Sequence, residues 1–251
     1  YLKGVCMRYL IKFSYDGTLF HGFQYQEGFR TVQECLERAA THINNNKKVN
    51  IVCSGRTDKG VHALGQIAHL DLEVNITPYK LKRALNSNLP DDIHVIEAIE
   101  VKDEFHSRYA VISKTYQYRI NMKEYNPLRR YYCYQHNYPL DVLKMKEAIQ
   151  YFKGTHDFRA FVTENKEKKN CIRTIFEVSI GEDQDELVIT FKGNGFLRYQ
   201  VRNMVGILIK VGTGKIEAKE VKEILDSKVR GKHGCCAPAE GLCLLEVNYH
   251  N

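Results

Sequence analysis

The chain has 251 residues, 43% of them hydrophobic, enough for one large domain or two modest ones with real cores. Its 37 Lys and Arg against 30 Asp and Glu leave a formal net charge of +7, a basic excess that tilts towards a polyanionic partner without requiring one. No apolar run reaches the ~18 residues of a membrane span, and residues 1–6 show no secretory-signal pattern, so neither a membrane-spanning nor a secreted protein is the expectation.

In chain order, residues 7–15 alternate and are rich in Tyr, Ile and Phe, which reads as a strand broken by Asp16-Gly17. Thr31 and Glu34 have capping-box spacing, and Val32, Leu36, Ala39, Ala40 and Ile43 recur behind them with helical period. A short strand at 51–53 leads into a polar, glycine-rich loop, and 66–72 reads as the next strand. Thr77-Pro78 opens a helix, proline being suited to the first helical position, and Asn88-Leu89-Pro90 closes it ahead of a strand at 94–101. The second half repeats the rhythm. Residues 114–120 alternate as a strand, and Asp141 caps a helix with Val142, Met145, Ala148 and Phe152 on one face. Residues 174–180 and 187–192 pair as a hairpin, 196–211 form a long apolar helix, 218–225 a shorter amphipathic one, and 242–247 a closing strand. The pattern predicts an α+β protein of two similar ferredoxin-like (RRM-like) halves, 1–110 and 111–251, with mainly antiparallel sheets flanked by helices. The charge run at 164–170 reads as a solvated loop.

The eight cysteines include no pair with CxxC spacing, and a chain this apolar needs no disulfide frame, so they read as reduced thiols in a cytosolic protein. His233, Cys235 and Cys236 lack a second ligand pair and read as a small-residue loop rather than a zinc site.

Three stretches carry candidate chemistry. The first, Ser54-Gly55-Arg56-Thr57-Asp58-Lys59-Gly60-Val61-His62, sets a guanidinium and a carboxylate side by side in a loop between strands. Taken alone, Asp-Lys-Gly is equally an ordinary turn, and His62 and His69 are more simply structural. The second runs from 105 to 140, where Arg108, Lys114, Arg119, Lys123, Arg129 and Arg130 are opposed within the stretch only by Glu124. Tyrosines 109, 116, 118, 125, 131, 132, 134 and 138 interleave with them. Cations that neutralise phosphates beside rings that stack on bases suit a nucleic-acid channel, while strand propensity alone puts about half of the tyrosines in the core. The third is the predicted helix at 196–211, where Arg198 and Arg202 stand four apart on one side. Arg202, among Val201, Met204 and Val205, lies at the margin of a buried face, where it either meets an anion or snorkels to water.

These stretches join further blocks: Tyr15-Asp16-Gly17, Gly22-Phe23-Gln24, Thr31-Val32-Gln33, Gly65-Gln66, Asn88-Leu89-Pro90-Asp91-Asp92-Ile93, Phe105-His106-Ser107-Arg108-Tyr109 and Tyr116-Gln117-Tyr118. Gly154-Thr155-His156-Asp157-Phe158, Arg173-Thr174, Asn194-Gly195-Phe196-Leu197, Val201-Arg202-Asn203-Met204-Val205-Gly206 and Glu240-Gly241-Leu242 follow. In this order, over nearly the whole chain from Met7, they resemble the TruA family of tRNA pseudouridine synthases. The resemblance implies the pseudouridine synthase fold, with a catalytic cleft between the halves. It implies a catalytic aspartate at Asp58, its arginine partner at Arg202 and an active-site tyrosine at Tyr116, with Arg56 helping to turn the target base out. Arg108, Tyr118 and Arg198 join Tyr116 and Arg56 as expected substrate contacts. It further implies a cofactor-free, metal-free homodimer in the cytoplasm that modifies uridines 38, 39 and 40 in the anticodon stem-loop of tRNA. Phe23, Gln200 and Cys243 stand where family members often have Trp, Met and Tyr, which bears on substrate range rather than reaction type.

The implied reaction detaches uracil from N1, turns it and rejoins it through C5, so no atom is gained or lost. An ordinary aspartate, with a pKa near ~3.9, is ionised at neutral pH; burial would raise that value and a paired Arg202 would hold it down. Three alternatives compete. A non-catalytic RNA-binding protein of two RRM-like halves has little use for a carboxylate beside phosphates. An acid–base hydrolase wants a second catalytic carboxylate. A family member acting on a different RNA differs only in target.

Overall fold

The alternating segment at the start is a strand, β1 (Met7–Tyr15), and it is central in its sheet. β3 (His62–Leu72) pairs antiparallel along one edge, with Ile11 opposite Ala68, and β4 (Ile93–Val101) antiparallel along the other, with Ile11 opposite Ala98. Flanked on both edges, β1 buries Tyr9, Ile11 and Phe13 completely. In this computed structural model, which describes residues 6–162, 170–229, 231 and 234–249, the chain divides into two compact units. One comprises Tyr1–Ile112 and Leu244–Asn251, the other Ser113–Cys243.

In the first unit α1 (Val32–Ile43) follows β1 and α2 (Pro78–Asn88) follows β3; the short β2 (Val52–Cys53) and β10 (Leu242–Tyr249) also pair with β3. Thr31 caps α1, its hydroxyl accepting from the Glu34 N–H at 3.3 Å, and the helix turns Val32, Cys35, Leu36, Ala39 and Ala40 inward. Burying a leucine such as Leu36 stabilises by roughly 1.5–3 kcal/mol. Thr77 caps α2 ahead of Pro78, and Leu89 at its end is extended because the following Pro90 disfavours the helical region. The order β4-β1-β3 with β2 beside β3, and a helix after β1 and after β3, is the ferredoxin-like arrangement. β3 begins four residues earlier than its sequence pattern suggests, at His62 rather than residue 66. Gly65 reads locally as a break, yet it sits within the strand because β10 passes so close that a side chain there would fall on the Leu245 carbonyl.

The second unit has strands in the order β5-β9-β8-β7: β5 (Val111–Asn121), β7 (Gly154–Asp157), β8 (Ile172–Asp183) and β9 (Glu186–Gly193). A two-residue β6 (Tyr134–Gln135) pairs parallel with β5. The helices are α3 (Val142–Ile149), α4 (Gln200–Gly212) and α5 (Glu220–Ser227). Asp141 caps α3 through the Lys144 N–H at 3.0 Å, and Phe152 lies in the tighter turn that continues it. There Phe152 meets Phe161 edge-on at 5.2 Å in a core shared with Phe158 and Phe191. The α+β class with mainly antiparallel sheets and flanking helices stands; β6, β7 and the short turns around them are additions that the sequence pattern does not announce.

Residues 1–5, 163–169 and His233 lie outside the described residues, so the charge run and the histidine beside the cysteine pair have no structural account. Among the described residues no group of three His, Cys, Asp or Glu is placed to hold a metal ion, and no helix is long and apolar enough to cross a membrane. None of the eight cysteines is joined in a disulfide.

His69, on β3, is part of the frame. Its Nδ1 accepts the Ser107 N–H at 3.2 Å and lies 2.9 Å from the Ser107 hydroxyl. That hydroxyl reaches the Val52 carbonyl at 2.5 Å, and the Ser107 carbonyl accepts from Tyr249 Oη at 2.6 Å. Burial, and secondarily the Arg8 charge, push the imidazole down to about 4 from an ordinary 6.5. Between those values the unfolded chain binds a proton that the folded one refuses, so stability falls as pH drops from 6.5 towards 4. The loss should be on the order of 3 kcal/mol at the acid end. Urea titrations of wild type and His69→Gln across this range test it: the variant should lose part of the slope, and equal slopes would show that His69 contributes nothing.

Candidate active site

The segment 54–61, between β2 and β3, is a loop whose course is set from three sides. From above the end of β1, Gly17 lies on Val61 so closely that a methyl group would fall on the Val61 carbonyl. From the following loop, Gly22 (φ 94°) lies against Thr57–Lys59, where a Cβ would be 2.9 Å from the Thr57 carbonyl oxygen and 3.3 Å from the Asp58 carbonyl carbon. The Phe23 N–H donates to the Thr57 carbonyl at 3.1 Å, and Val61 N–H closes the turn on the Asp58 carbonyl at 3.2 Å. Gly60 is in the left-handed region, at φ 79°.

From below, a buried polar cluster holds the same loop. Tyr15 Oη and Thr57 Oγ1 are 2.7 Å apart. Gln66, wholly buried, accepts from Ser54 Oγ at 2.7 Å, donates from Nε2 to the Gly55 carbonyl at 2.8 Å, and reaches Tyr15 Oη at 3.5 Å. Thr57 is thereby drawn inward, while Arg56 and Lys59 are exposed and Asp58 is half-buried. The turn reading of Asp-Lys-Gly holds, and Asp58 lies within that turn. Tyr15, Ser54, Thr57 and Gln66 stand in the sequence blocks with no role that local pattern assigns. The available signal is Gln66, a polar residue among the apolar ones of a central strand.

His62, at the start of β3, accepts the Gly17 N–H on Nδ1 at 3.0 Å. A nitrogen that accepts carries no proton, so the 3.2 Å approach of Asp16 Oδ1 to the same nitrogen is not an ion pair. Asp16 Oδ1 instead takes the Thr18 N–H at 2.9 Å. His62 and His69 thus each accept a backbone N–H, from Gly17 and Ser107 respectively.

In the second unit, Tyr116 on β5 is 7% exposed and meets Phe196 edge-on at 5.3 Å. Tyr118, on the same face two residues on, is wholly buried and donates its hydroxyl to the Pro238 carbonyl at 2.8 Å. A ring with neither face nor hydroxyl available cannot receive a base, so Tyr118 is a core residue and not the substrate contact expected of it. Arg202 is half-buried in the first turn of α4; its Nε donates to the Ala237 carbonyl at 2.7 Å, and its own carbonyl accepts from the Ala237 N–H at 3.0 Å. Arg198 is not on that helix. The chain turns at Tyr199, whose φ is 63°, and α4 starts only at Gln200, so the expected four-residue spacing along one helical face does not apply. The two guanidiniums nevertheless converge, Arg198 at 4.9 Å and Arg202 at 5.4 Å from the centre of the Tyr199 ring.

The basic stretch is also less free than its composition suggests. Arg119 pairs with Glu186 at 3.0 Å and Asp183 at 2.7 Å, Arg129 with Glu186 at 2.7 Å, and Lys123 with Asp185 at 2.6 Å. The opposing acids come from the β8–β9 turn, far away in sequence. Arg108 and Tyr109, in the first unit, are exposed, on a loop anchored by the buried Ser107.

Residues 11–110 and 148–250 match the family model described as tRNA pseudouridine synthase. Curated relatives named tRNA pseudouridine synthase A match nearly end to end. That of Bacillus cereus is 44% identical over 240 residues, 95% of this chain and 97% of its own length. That of Shouchella clausii is 45% identical over 243 residues, 96% and 93%. That of Streptococcus pyogenes serotype M49 is 44% identical over 248 residues, 98% and 100%. A chain in a crystal structure of a Cbf5-Nop10-Gar1 complex aligns at TM-score 0.35 and 11% identity over 94% of this chain and 58% of that one, too weak a likeness to add weight. With a family model over most of its length and relatives this similar from end to end, the chain belongs to the tRNA pseudouridine synthase family, in its TruA branch.

Proposed function

We propose that this chain isomerises uridine to pseudouridine at positions 38, 39 and 40 of the tRNA anticodon stem-loop, as a cytoplasmic homodimer, with Asp58 as its catalytic carboxylate. The observation that carries the assignment to Asp58 is convergence. Tyr15, Gly17, Gly22 and Gln66, drawn from three separate blocks of the family pattern, all direct their contacts at the one loop that bears it. A loop held so firmly, with its charged residue left partly open, is suited to positioning a reacting group.

The reaction breaks the bond between C1′ and N1 and makes one between C1′ and C5. N1 gains a proton and C5 gives one up, so the sum is zero and no oxidant, metal or energy source enters the balance. Asp58 supplies the carboxylate at the sugar–base junction. Tyr116 holds the freed uracil and assists in moving the C5 proton, and Arg202 supplies the positive charge that the chemistry at a carboxylate calls for. The uridine must first leave its stack, at a cost of a few kcal/mol. Arg56, exposed beside Asp58, takes the vacated space, and Arg108 and Arg198, both exposed, contact phosphates.

Asp58→Asn should abolish release of tritium from C5-labelled anticodon-arm RNA while leaving its binding within a few-fold; near-normal release would end the assignment. Tyr116→Phe should bind normally and turn over more slowly, and a wild-type rate would reduce Tyr116 to packing. Gln66→Leu leaves the Ser54 hydroxyl and Gly55 carbonyl without their buried partner, which costs about 1–3 kcal/mol of stability. Because a displacement near 1 Å costs roughly 100-fold in rate, its kcat should fall by at least tenfold with KM little changed. A stability loss without a change in kcat would show that the cluster supports the fold but not the placement of Asp58.

A further inference from the structure

The loop between β1 and α1 does more than press on the segment bearing Asp58. It is a tight hairpin: the His21 N–H donates to the Arg30 carbonyl at 3.0 Å, the Phe29 N–H to the Gln26 carbonyl at 3.2 Å, and Gln26 Nε2 to the His21 carbonyl at 2.8 Å. Gly28 turns its tip, at φ 78°. Arg30 fixes its base by a bidentate pair with Asp92 at 2.7 and 2.8 Å and by lying 4.1 Å over the buried Phe20 ring. A loop this constrained would be expected to hide its apolar residues. It leaves Phe29 48% and Tyr25 52% exposed.

Phe29 is backed by the His21 ring, with centroids 4.4 Å apart, and His21 Nε2 lies 3.2 Å from Lys59 Nζ. The ammonium can only donate, so Nε2 accepts and the imidazole carries its proton on Nδ1. An exposed aromatic ring, an imidazole and an ammonium thus stand in a row, and Lys59 is the residue next to Asp58. Rigid aromatic faces stack bases of any identity, and a neighbouring cation takes the phosphate.

We propose that His21, Phe29 and Lys59 form a subsite for the RNA nucleotide adjoining the uridine that Asp58 acts on. The base lies on Phe29, and the phosphate sits on Lys59. The inference rests on Asp58 being the reacting carboxylate, and it deepens that reading by assigning a contact outside the target base. It also gives the hairpin's stiffness a purpose, since a surface ordered before binding does not have to be ordered by it.

The test measures binding rather than turnover, in full-length Asp58→Asn protein, using a fluorescent anticodon-arm RNA. Phe29→Leu should weaken binding by about 5- to 100-fold. When the nucleotide on the 5′ or the 3′ side of the target is made abasic, Phe29→Leu and its parent should bind alike for one of the two RNAs. Lys59→Met should lower the slope of log K against log salt by about 0.7–0.9. All three side chains lie at the surface, and circular dichroism would confirm that the variants fold. Unchanged affinity in both variants would overturn the proposal. So would a Phe29 effect that survives undiminished on both abasic RNAs, or one that appears as a change in the protein's own oligomeric state instead of in RNA binding. Retained tritium release by Asp58→Asn would overturn the parent reading separately, because the binding measurements do not depend on turnover.

Discussion

Backbone lies directly on backbone where residues 17 and 22 meet the segment 57–61, and the position of Asp58 depends on that contact. Glycine is required there because any β-carbon would enter the Val61 or Thr57 carbonyl. Gly22 and Phe23, which both meet Thr57, also begin a helix. The Gly22 carbonyl accepts from Val32 N–H at 3.4 Å and the Phe23 carbonyl from Gln33 N–H at 2.9 Å, which satisfies donors that the first turn of α1 would otherwise leave open. A central strand, a helix start and the Asp58 loop therefore share one junction. None of the three can shift without the others, which explains how a loop can be positioned as accurately as a strand.

The underside of the junction is polar and buried, a combination with large consequences. In low dielectric the Tyr15–Thr57 and Ser54–Gln66–Gly55 hydrogen bonds are strong when all are made, and each missing partner is costly. An apolar plug would fill the same volume and stabilise the unit as well, but it would not specify where the loop's backbone lies. The cluster trades general cohesion for direction. It pulls Thr57 inward by its hydroxyl, while Arg56 stays exposed and Asp58 half-buried.

Local pattern was sufficient for the elements themselves: the capped helices at Thr31, Thr77 and Asp141 and the strands at β1, β4 and β9 lie where spacing and capping chemistry put them. It failed where a distant segment decides. Gly65 reads as a break until Leu245 is known to pass beside it. The helix after Phe196 looks continuous until Tyr199 adopts a left-handed conformation and the Gln200 side chain, accepting the Leu197 N–H at 2.8 Å, holds the turn before it. Asp58, Arg56 and Tyr116 stand out as candidates through their sequence blocks, whereas Tyr15, Thr57 and Gln66 act through contacts that only the folded chain reveals.

Charge is where sequence and structure diverge most, and the reason is general. The stretch from 105 to 140 holds six cations and one acid, yet the β8–β9 hairpin returns Asp183, Asp185 and Glu186 to three of those cations. Its two-residue turn has Gln184 at φ 49° and Asp185 at φ 69°, a tight reversal matched to the twist of the strands, so the acids arrive as a rigid group. Burial pushes the Glu186 carboxyl up, but hydrogen bonds from Arg129 and Arg119 outweigh it, and the group lies below its ordinary range. Cys133 beside it is pushed up to about 12 by burial and the Glu186 charge, which makes it an inert thiol. Removing Glu186 would leave Arg119 and Arg129 without their shared buried partner, so this carboxylate ties the segment after β5 to the β8–β9 hairpin. Three of the run's six cations are thus committed to the chain's own acids, so the composition of the stretch overstates the charge it offers a polyanion.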